Sequence, residues 1–168
     1  SDVCSSDLKD EYLKLPKEYE VEVLFGFATD TYDVMGKVIN LVTSSSVPTI
    51  RNILPQFTGR IKQSYPPYSS RTVNGKPLFQ WSREGKIDDI TIPFHDVFVE
   101  KIEIIKEDFI LGDELLNRIK KDISQVGGDF RQSEIIKIWE HALKEKKKEK
   151  YKTITLRISC GSGFYVRA

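Results

Sequence analysis

The chain has 168 residues, of which 39% are hydrophobic and 30% charged, and this suits one folded domain and excludes an intrinsically disordered chain. Its formal net charge of +1 gives no overall attraction to nucleic acid, so any RNA binding has to come from a local patch of cations. No apolar run is long enough to span a bilayer, which excludes a membrane-spanning helix at the level of sequence.

Cysteines and histidines indicate neither a disulfide framework nor a metal centre. The cysteines, Cys4 and Cys160, are too few for such a framework, and His95 and His141 lack the spacing of zinc ligands. We therefore expect a cytoplasmic protein with no metal site and no membrane association.

The two ends of the chain differ from its interior. Residues 1–8, SDVCSSDL, fit the translation of a widely used sequencing adapter, and we expect them to be translated adapter. The alternative is a genuine disordered N-terminus. At the other end, Ala168 falls inside an apparent strand-to-helix motif that has no stop signal, so both ends are expected to be cut.

The first third of the chain predicts two strands and a helix. Residues 18–25 alternate between apolar and acidic side chains, which indicates a half-buried strand. Residues 26–33 are expected to form a loop, and residues 36–42 a second strand, antiparallel to the first. A helix over residues 48–57 is predicted to end at Gly59.

The middle of the chain predicts a short strand over residues 61–65 and a turn at Asn74-Gly75. Residues 77–84 are expected to form a helix that starts on a proline and is followed by a glycine. Two further strands are predicted, over residues 90–92 and 94–105.

The strand over residues 94–105 has a phase break near residues 100–101, which predicts a bulge. Helical spacing follows over residues 113–126, and Ser133 is expected to cap a second helix. Alternation over residues 153–159 predicts the last strand.

Three separated segments carry the strongest functional signal. They are residues 17–33 (KEYEVEVLFGFATDTYD), 63–85 (QSYPPYSSRTVNGKPLFQWSREG) and 157–168 (RISCGSGFYVRA). In this order they resemble the catalytic domain of TruB-type tRNA pseudouridine synthases, which isomerise the T-loop uridine of tRNA. The resemblance covers most of residues 17–168, apart from an expected helical insertion near residues 112–150.

The resemblance implies an α/β (α+β) class and the pseudouridine synthase fold. In that fold a mixed, largely antiparallel sheet is flanked by helices around a central RNA-binding cleft. Residues 9–168 would then be a partial catalytic domain. The family uses neither a metal nor an organic cofactor, so none is expected here.

The chemistry of the family sets what the site must contain. Uracil is detached from its ribose, rotated and rejoined through carbon, so the enzyme needs a carboxylate near the glycosidic carbon and a pocket for an extruded base. An aromatic side chain suits that pocket, because stacking on a base is worth roughly 1–3 kcal/mol. A cation is needed to keep the carboxylate ionised and oriented.

By resemblance, the catalytic candidates are Tyr19, Tyr165 and Arg167. Tyr19 matches the tyrosine that stacks on the target base and can also serve as a general base, Tyr165 packs at the pocket, and Arg167 matches the arginine that pairs with the catalytic aspartate. From the residues alone, a core tyrosine and a surface ion pair remain alternatives. No aspartate of this chain matches the nucleophile, so the chain as given is expected to be inactive.

Two further groups of side chains are expected at the cleft. Residues that shape the cleft lie in one Thr- and Asp-rich segment, and their alternative is ordinary turn capping: Thr29, Asp30, Thr31 and Asp33. Neither aspartate is expected to be a nucleophile. Residues that line the RNA face combine cations with an aromatic ring and a turn, and their alternative is solvated surface: Tyr68, Arg71, Asn74, Lys76 and Arg83.

The sequence thus predicts a fragment of a tRNA pseudouridine(55) synthase whose partner is the T-arm stem-loop of tRNA and which is a monomer when full length. Two alternatives remain open. One is a non-catalytic RNA-binding or tRNA-folding module on the same scaffold, and the other is an unrelated α/β interaction protein.

Overall fold

A computed structural model of the chain describes residues 15–41, 50–128 and 130–168. The expected adapter segment, residues 1–8, lies outside the described residues, as does the predicted start of the helix at residue 48. No cis peptide bond occurs in the part of the chain that is described.

The described residues contain eight strands, four α-helices and two short 3-10 helices. The strands are β1 (Lys17–Leu24), β2 (Phe27–Thr29), β3 (Val38–Leu41), β4 (Gly59–Ser64), β5 (Thr72–Val73), β6 (Lys76–Pro77), β7 (Phe94–Leu111) and β8 (Lys150–Cys160). The helices are α1 (Ile50–Ile53), α2 (Leu78–Arg83), α3 (Gly112–Ser124) and α4 (Gln132–Leu143), and the 3-10 helices are Leu54–Phe57 and Ile87–Asp89.

One four-stranded sheet, in the order β1-β8-β7-β4, forms the scaffold, and two-stranded sheets are made by β2 with β3 and by β5 with β6. Every pairing among the described strands is antiparallel. The α+β class with a large antiparallel sheet and flanking helices is therefore confirmed.

The pairing of β7 with β8 contains the predicted bulge. The register shifts between Val99 and Lys101, where the sequence loses its phase, and shifts again between Ile104 and Lys106. A bulge increases the local twist of a strand. This added twist suits β7, which has 18 residues and is longer than the strand predicted over residues 94–105.

The prediction that residues 36–42 pair with the first strand is wrong. β1 pairs along its whole length with β8, from Lys17 opposite Cys160 to Leu24 opposite Thr153, and β3 pairs with β2. The loop predicted over residues 26–33 therefore contains a strand. Alternation defines which face of a strand is buried but not which strand lies beside it.

The strand predicted over residues 90–92 is also wrong. The 3-10 helix Ile87–Asp89 precedes it, and no strand follows until Phe94. Pro93 lacks the backbone donor that a sheet ladder needs, and its carbonyl oxygen instead accepts a hydrogen bond from the Tyr65 amide at 3.2 Å.

Helix boundaries follow local signals where these are strong. α2 begins directly after Pro77, and Gly85 follows it with a φ of 67°, as predicted. The helix expected over residues 48–57 is described from Ile50 and tightens to a 3-10 helix at Leu54, because Pro55 has no amide to continue the α-helical ladder.

Helices α3 and α4 form a hairpin between β7 and β8. Ser133 does not cap α4, since the cap position is occupied by Arg131 in a left-handed conformation with a φ of 64°. The hairpin buries one apolar cluster, consisting of Ile110, Leu115, Ile119, Ile123, Ile135, Trp139 and Leu143. Complete burial of each such side chain stabilises the fold by about 1.5–3 kcal/mol.

The hairpin is packed on the β2–β3 sheet. Phe27, Val34, Met35 and Val38 contact its apolar cluster, and Trp139 donates through Nε1 to the Gly36 carbonyl oxygen at 3.2 Å. The loop between β2 and β3 is thereby supported by the helical hairpin.

A second apolar cluster lies on the main sheet and consists of Ile50, Val99, Ile154, Leu156, Ile158 and Cys160.

Candidate RNA-binding cleft

The loop between β2 and β3 is organised by the carboxylate of Asp33. Its Oδ1 accepts from Thr31 Oγ1 at 2.6 Å and from the Met35 amide at 3.0 Å, and its backbone carbonyl accepts from Thr29 Oγ1 at 2.7 Å. Thr29 and Thr31 are buried. Three of the four residues expected to shape the cleft therefore fix one turn by side-chain to backbone bonds.

The fourth residue, Asp30, uses its two carboxylate oxygens differently. Oδ1 accepts from the Lys37 amide at 2.7 Å, which closes the loop. Oδ2 accepts from the Tyr68 hydroxyl at 3.0 Å and from Arg131 Nη1 at 2.9 Å. Asp30 thus joins the β2–β3 loop to two segments that are distant in the sequence.

Gly36 permits this loop to fold tightly. A Cβ at this position would lie 2.3 Å from Thr31 Oγ1, 2.7 Å from Asp30 Oδ1 and 2.9 Å from Thr29 Cβ. Real Cβ atoms do not approach other atoms so closely, so any other residue here would displace the threonine and aspartate side chains.

Arg167 connects the last segment of the chain to the loop. Its Nη1 lies 3.3 Å from Asp33 Oδ2, and its Nη2 donates to the Tyr68 carbonyl oxygen at 2.7 Å. Both side chains of the ion pair are one third exposed. An ion pair with this exposure is worth at most about 1 kcal/mol, so Arg167 can exchange Asp33 for another anion at small cost.

Tyr68 and Arg131 change each other's ionisation. Burial raises the pKa of the Tyr68 hydroxyl, and the adjacent Asp30 carboxylate raises it further. Burial lowers the pKa of Arg131, but the hydrogen bond and charge of Asp30, together with Tyr68, outweigh it and raise that pKa above its ordinary value. Tyr68 stays a neutral donor and Arg131 stays a cation at neutral pH.

Two cavities flank the pair of Asp33 and Arg167, and both residues line both cavities. The first, of about 480 Å³, is further lined by Tyr19, Val21, Glu22, Val23, Leu24, Phe27, Thr29, Tyr32, Val34, Trp139 and Val166. The second, of about 450 Å³, is further lined by Thr31, Met35, Tyr68, Ser69, Ser70, Phe79, Arg83, Val126, Phe130 and Arg131. The three sequence segments therefore meet at one boundary between two cavities.

The catalytic candidates are only partly brought together. Tyr19 lies in the first cavity and is half-buried on β1, and Arg167 lies at the boundary. Tyr165 lines neither cavity. Its ring instead makes edge contacts with Tyr65, at 5.7 Å between centroids, and with His95, at 5.8 Å. The roles assigned to these three residues stay predictions.

The expected RNA-face residues are also divided. Arg83 lines the second cavity, and its guanidinium lies 5.8 Å from the ring centroid of Phe79. Arg71 lies 5.1 Å from the ring centroid of Tyr65, outside both cavities. A cation over an aromatic ring is held by the charge distribution of that ring. These two arginines are therefore placed by neighbouring aromatic residues.

Lys76 and Asn74 lie away from the cavities. Lys76 Nζ is 4.0 Å from the ring centroid of Trp81 and 2.6 Å from Glu84 Oε2, so its charge is directed along α2. Asn74 and Gly75 both have positive φ, 51° and 77°, and form the predicted turn between β5 and β6. Asn74 is exposed there.

Sequence reasoning missed two residues that fix the cleft. The sequence places Arg131 only within the expected helical insertion near residues 112–150, and no local pattern distinguishes it from a solvated arginine. Gln63 is buried on β4 and bonds the backbone of Tyr165 in both directions, at 2.9 Å each. A single glutamine at an inward position of a strand was the one available signal for it.

The described residues offer neither a metal centre nor a membrane-spanning helix. Among them, no group of three or more His, Cys, Asp or Glu side chains is arranged to hold a metal ion. None of the helices described has the length and apolar character needed to cross a bilayer.

Several known proteins are similar to this chain. A tRNA pseudouridine synthase B of Caldanaerobacter subterraneus is 38% identical over 94 residues, which cover 55% of this chain and 32% of that protein. One of Lactobacillus acidophilus is 45% identical over 73 residues, covering 42% of this chain and 25% of that protein. One of a Nostoc species is 28% identical over 160 residues, covering 94% and 41%.

This chain therefore spans well under half the length of these curated relatives. The model of the family described as TruB family pseudouridylate synthase (N terminal domain) matches residues 7–121, which is more than half of the chain. That match excludes the alternative of an unrelated α/β interaction protein. The chain belongs to the TruB family of pseudouridylate synthases.

Proposed function

We propose that the protein to which this chain belongs isomerises the T-loop uridine of tRNA to pseudouridine. The observation that carries the proposal is the position of Arg167. This residue lies at the boundary of two cavities, with Tyr19 lining one and Tyr68 and Arg83 lining the other. The three segments that resemble the family thus contribute to one cleft.

Within the proposed site, Tyr19 contributes the ring on which the target base lies and a hydroxyl that serves as general base. The first cavity is mainly apolar around it, and a volume of about 480 Å³ exceeds what one pyrimidine requires. Stacking on an aromatic ring is worth roughly 1–3 kcal/mol per base and holds the uracil while it rotates.

Arg167 is proposed to orient the reacting carboxylate. A guanidinium has five donors in a planar fork, and here one nitrogen already bonds the Tyr68 carbonyl oxygen at 2.7 Å. The other nitrogen, Nη1, lies 3.3 Å from Asp33 Oδ2 and is the one proposed to exchange Asp33 for the reacting carboxylate. Asp33 and Asp30 are proposed as structural, because their oxygens already accept from the backbone of their own loop.

The RNA strand is proposed to follow the aromatic and cationic side chains on the side of Arg167 where the second cavity lies. Arg83, which lines the second cavity, and Arg71 are proposed to pair with the RNA phosphates, and each lies over an aromatic ring. Unstacked bases of an RNA loop need aromatic partners and their phosphates need cations, which is the combination present here.

The same proposal includes the state and location of the protein. We infer a cytoplasmic monomer when full length, which needs neither a metal nor an organic cofactor. The 168-residue chain is proposed to bind the T-arm without turnover, because its three family segments contain no aspartate that matches the nucleophile.

The test compares this chain and the full-length protein on a T-arm stem-loop RNA labelled with tritium at C5 of uridine, since isomerisation releases that tritium. Full-length protein is expected to release it and the 168-residue chain is not. In the full-length protein, Tyr19→Phe and Arg167→Lys are expected to slow release by at least about 100-fold, the lower range for loss of a positioned catalytic group.

Matched controls are Tyr151→Phe and Arg60→Lys, which make the same chemical changes outside both cavities. Both variants should release tritium at the parent rate. Tight binding of the T-arm by the full-length protein with no tritium release would contradict the catalytic proposal and support a non-catalytic RNA-binding module.

A further inference from the structure

We infer that Arg131, in the turn between α3 and α4, is a positioning residue of the RNA-binding cleft that acts by fixing Tyr68. The identity of the RNA rests on the proposed function, but the contact itself does not. The inference makes the helical hairpin part of the cleft rather than a remote addition to the domain.

Three groups form a closed cluster at this point. The Arg131 guanidinium lies 4.8 Å from the ring centroid of Tyr68, and its Nη1 lies 2.9 Å from Asp30 Oδ2. The same Oδ2 accepts from the Tyr68 hydroxyl at 3.0 Å. Arg131 and Asp30 are three quarters or more buried, so their interaction is screened much less than that of a surface pair.

Tyr68 connects this cluster to the last segment of the chain. Its ring and hydroxyl are bound by Arg131 and Asp30, and its carbonyl oxygen accepts from Arg167 Nη2 at 2.7 Å. Loss of Arg131 therefore removes one of the restraints on Tyr68 and, through it, one on Arg167. The Arg131 guanidinium covers one face of the Tyr68 ring, so an RNA base can stack only on the other face.

A second contact joins the hairpin to the RNA face. Phe130, adjacent to Arg131, lies 6.0 Å from the guanidinium of Arg83, and both residues line the second cavity. No ion pair involves Arg83 in the described part of the chain. Its charge is thus directed to the cavity between Phe79 and Phe130, where a phosphate group of RNA can pair with it.

The described residues around Arg131 are joined by the side chain of Gln132. Gln132 Oε1 accepts from the Phe130 amide at 2.9 Å, and its Nε2 donates to the Gly128 carbonyl oxygen at 2.6 Å and to the Val126 carbonyl oxygen at 3.2 Å. Arg131 has a φ of 64°, which an L-residue adopts only at some cost. These bonds hold Phe130 and Gln132 against the residues that follow α3.

The test measures binding of a fluorescein-labelled T-arm stem-loop RNA to the 168-residue chain by fluorescence anisotropy. Arg131→Ala is expected to weaken binding by about tenfold, a change of about 1.4 kcal/mol. Arg131→Lys should recover only part of the affinity, because an ammonium cannot lie flat on the ring while pairing with Asp30. Lys121→Ala, which removes an exposed cation from the same hairpin, should bind as the parent does.

A double-mutant cycle distinguishes positioning from a general loss of charge. If Arg131 acts through Tyr68, Arg131→Ala should weaken binding in the parent but not in a Tyr68→Ala background. The dependence of affinity on salt should keep the same slope, since a positioning residue neutralises no phosphate. Equal losses in both backgrounds, or a slope reduced by about one, would overturn the inference in favour of a direct phosphate contact.

Hydrogen exchange without RNA separates this inference from the proposed function. The Ser69 amide, which donates to the Pro66 carbonyl oxygen at 3.1 Å, should exchange faster in Arg131→Ala and at the parent rate in Lys121→Ala. Unchanged exchange would overturn the inference whatever the RNA affinity. Faster exchange in a chain whose parent binds no RNA would support the positioning of Tyr68 and contradict the proposed function alone.

Folding of the variants is checked by their thermal unfolding midpoints. Should Arg131→Ala not fold, Arg131→Gln replaces it, because this shorter side chain keeps an N–H donor while it loses the charge and the guanidinium plane. Its RNA affinity is expected to fall between those of the parent and the tenfold-weaker level. Parent affinity in a folded Arg131→Gln chain would contradict the inference.

Discussion

The side chain of Gln63 pairs with the backbone of Tyr165 in both directions. Gln63 Oε1 accepts from the Tyr165 amide and Nε2 donates to the Tyr165 carbonyl oxygen, each at 2.9 Å, and Nε2 also donates to the Ala168 carbonyl oxygen at 3.0 Å. Gln63 is 8% exposed on β4. One buried amide therefore holds the segment that carries Arg167 against the main sheet.

Gln63→Ala is expected to lower the free energy of unfolding by about 1–3 kcal/mol, because it leaves the Tyr165 amide and the carbonyl groups of Tyr165 and Ala168 without their partner. Gln63→Glu should lower it at least as much, because a carboxylate oxygen then faces the carbonyl oxygens of Tyr165 and Ala168 and its charge is buried without a partner. Urea denaturation followed by circular dichroism gives both values.

The control for this prediction is Gln80→Ala on α2, where the side chain is exposed. Its free energy of unfolding should lie within about 0.5 kcal/mol of the parent value. A Gln63→Ala chain as stable as the Gln80→Ala chain would show that the three hydrogen bonds contribute nothing net.

Gly36→Ala is expected to distort the loop between β2 and β3. The added Cβ would meet Thr31 Oγ1 at 2.3 Å and Asp30 Oδ1 at 2.7 Å, so both side chains have to move. Crowding of a packed site costs about 1–3 kcal/mol, and the shift of Asp30 should also release Tyr68. The expected result is a lower unfolding midpoint together with faster exchange at the Ser69 amide.

Gly127→Ala is the matched substitution, because a Cβ there meets nothing within 4 Å and the position has no positive φ. Its unfolding midpoint and Ser69 exchange should equal or exceed those of the parent. If Gly36→Ala behaved in the same way, the close approach of Gly36 to Thr31 would not restrict the loop.

Local signals were sufficient for several elements of this fold. The alternation in β1, the proline and glycine around α2, and the Asn74-Gly75 turn each depend on residues close in sequence, and each was predicted. Their physical causes are dihedral preference and the burial of one face, which a short window of sequence contains.

The pairing of strands and the contacts between distant side chains could not be predicted from local sequence in the same way. The strand over residues 36–42 was recognised, but its partner was not, because an alternating strand can pair with any neighbour that buries the same face. Arg131 and Gln63 bond groups that are about a hundred residues away in the chain. Only the assembled fold brings Arg131 to Asp30 and Gln63 to Tyr165, so no spacing rule could have found them.

Tyr151 on β8 is placed where its ionisation affects stability. Its ring lies 4.8 Å from that of Phe27, and its hydroxyl donates to Glu149 Oε2 at 3.1 Å. Burial, together with the hydrogen bond to the Glu149 carboxylate, raises the pKa of Tyr151 to about 12. The neutral phenol is therefore favoured in the folded chain relative to the unfolded one.

The sign of the pH dependence follows from this raised pKa. Below about pH 10, Tyr151 is neutral in both states, whereas between about pH 10 and 12 it ionises in the unfolded chain first, so the folded state loses stability as pH rises. Tyr151→Phe cannot ionise, so the stability of the parent relative to this variant should be constant up to about pH 10 and then decline. Urea denaturation of both chains across this range measures the difference. A difference that stays constant to about pH 12 would mean that Tyr151 ionises equally in both states and that neither burial nor Glu149 raises its pKa in the folded chain.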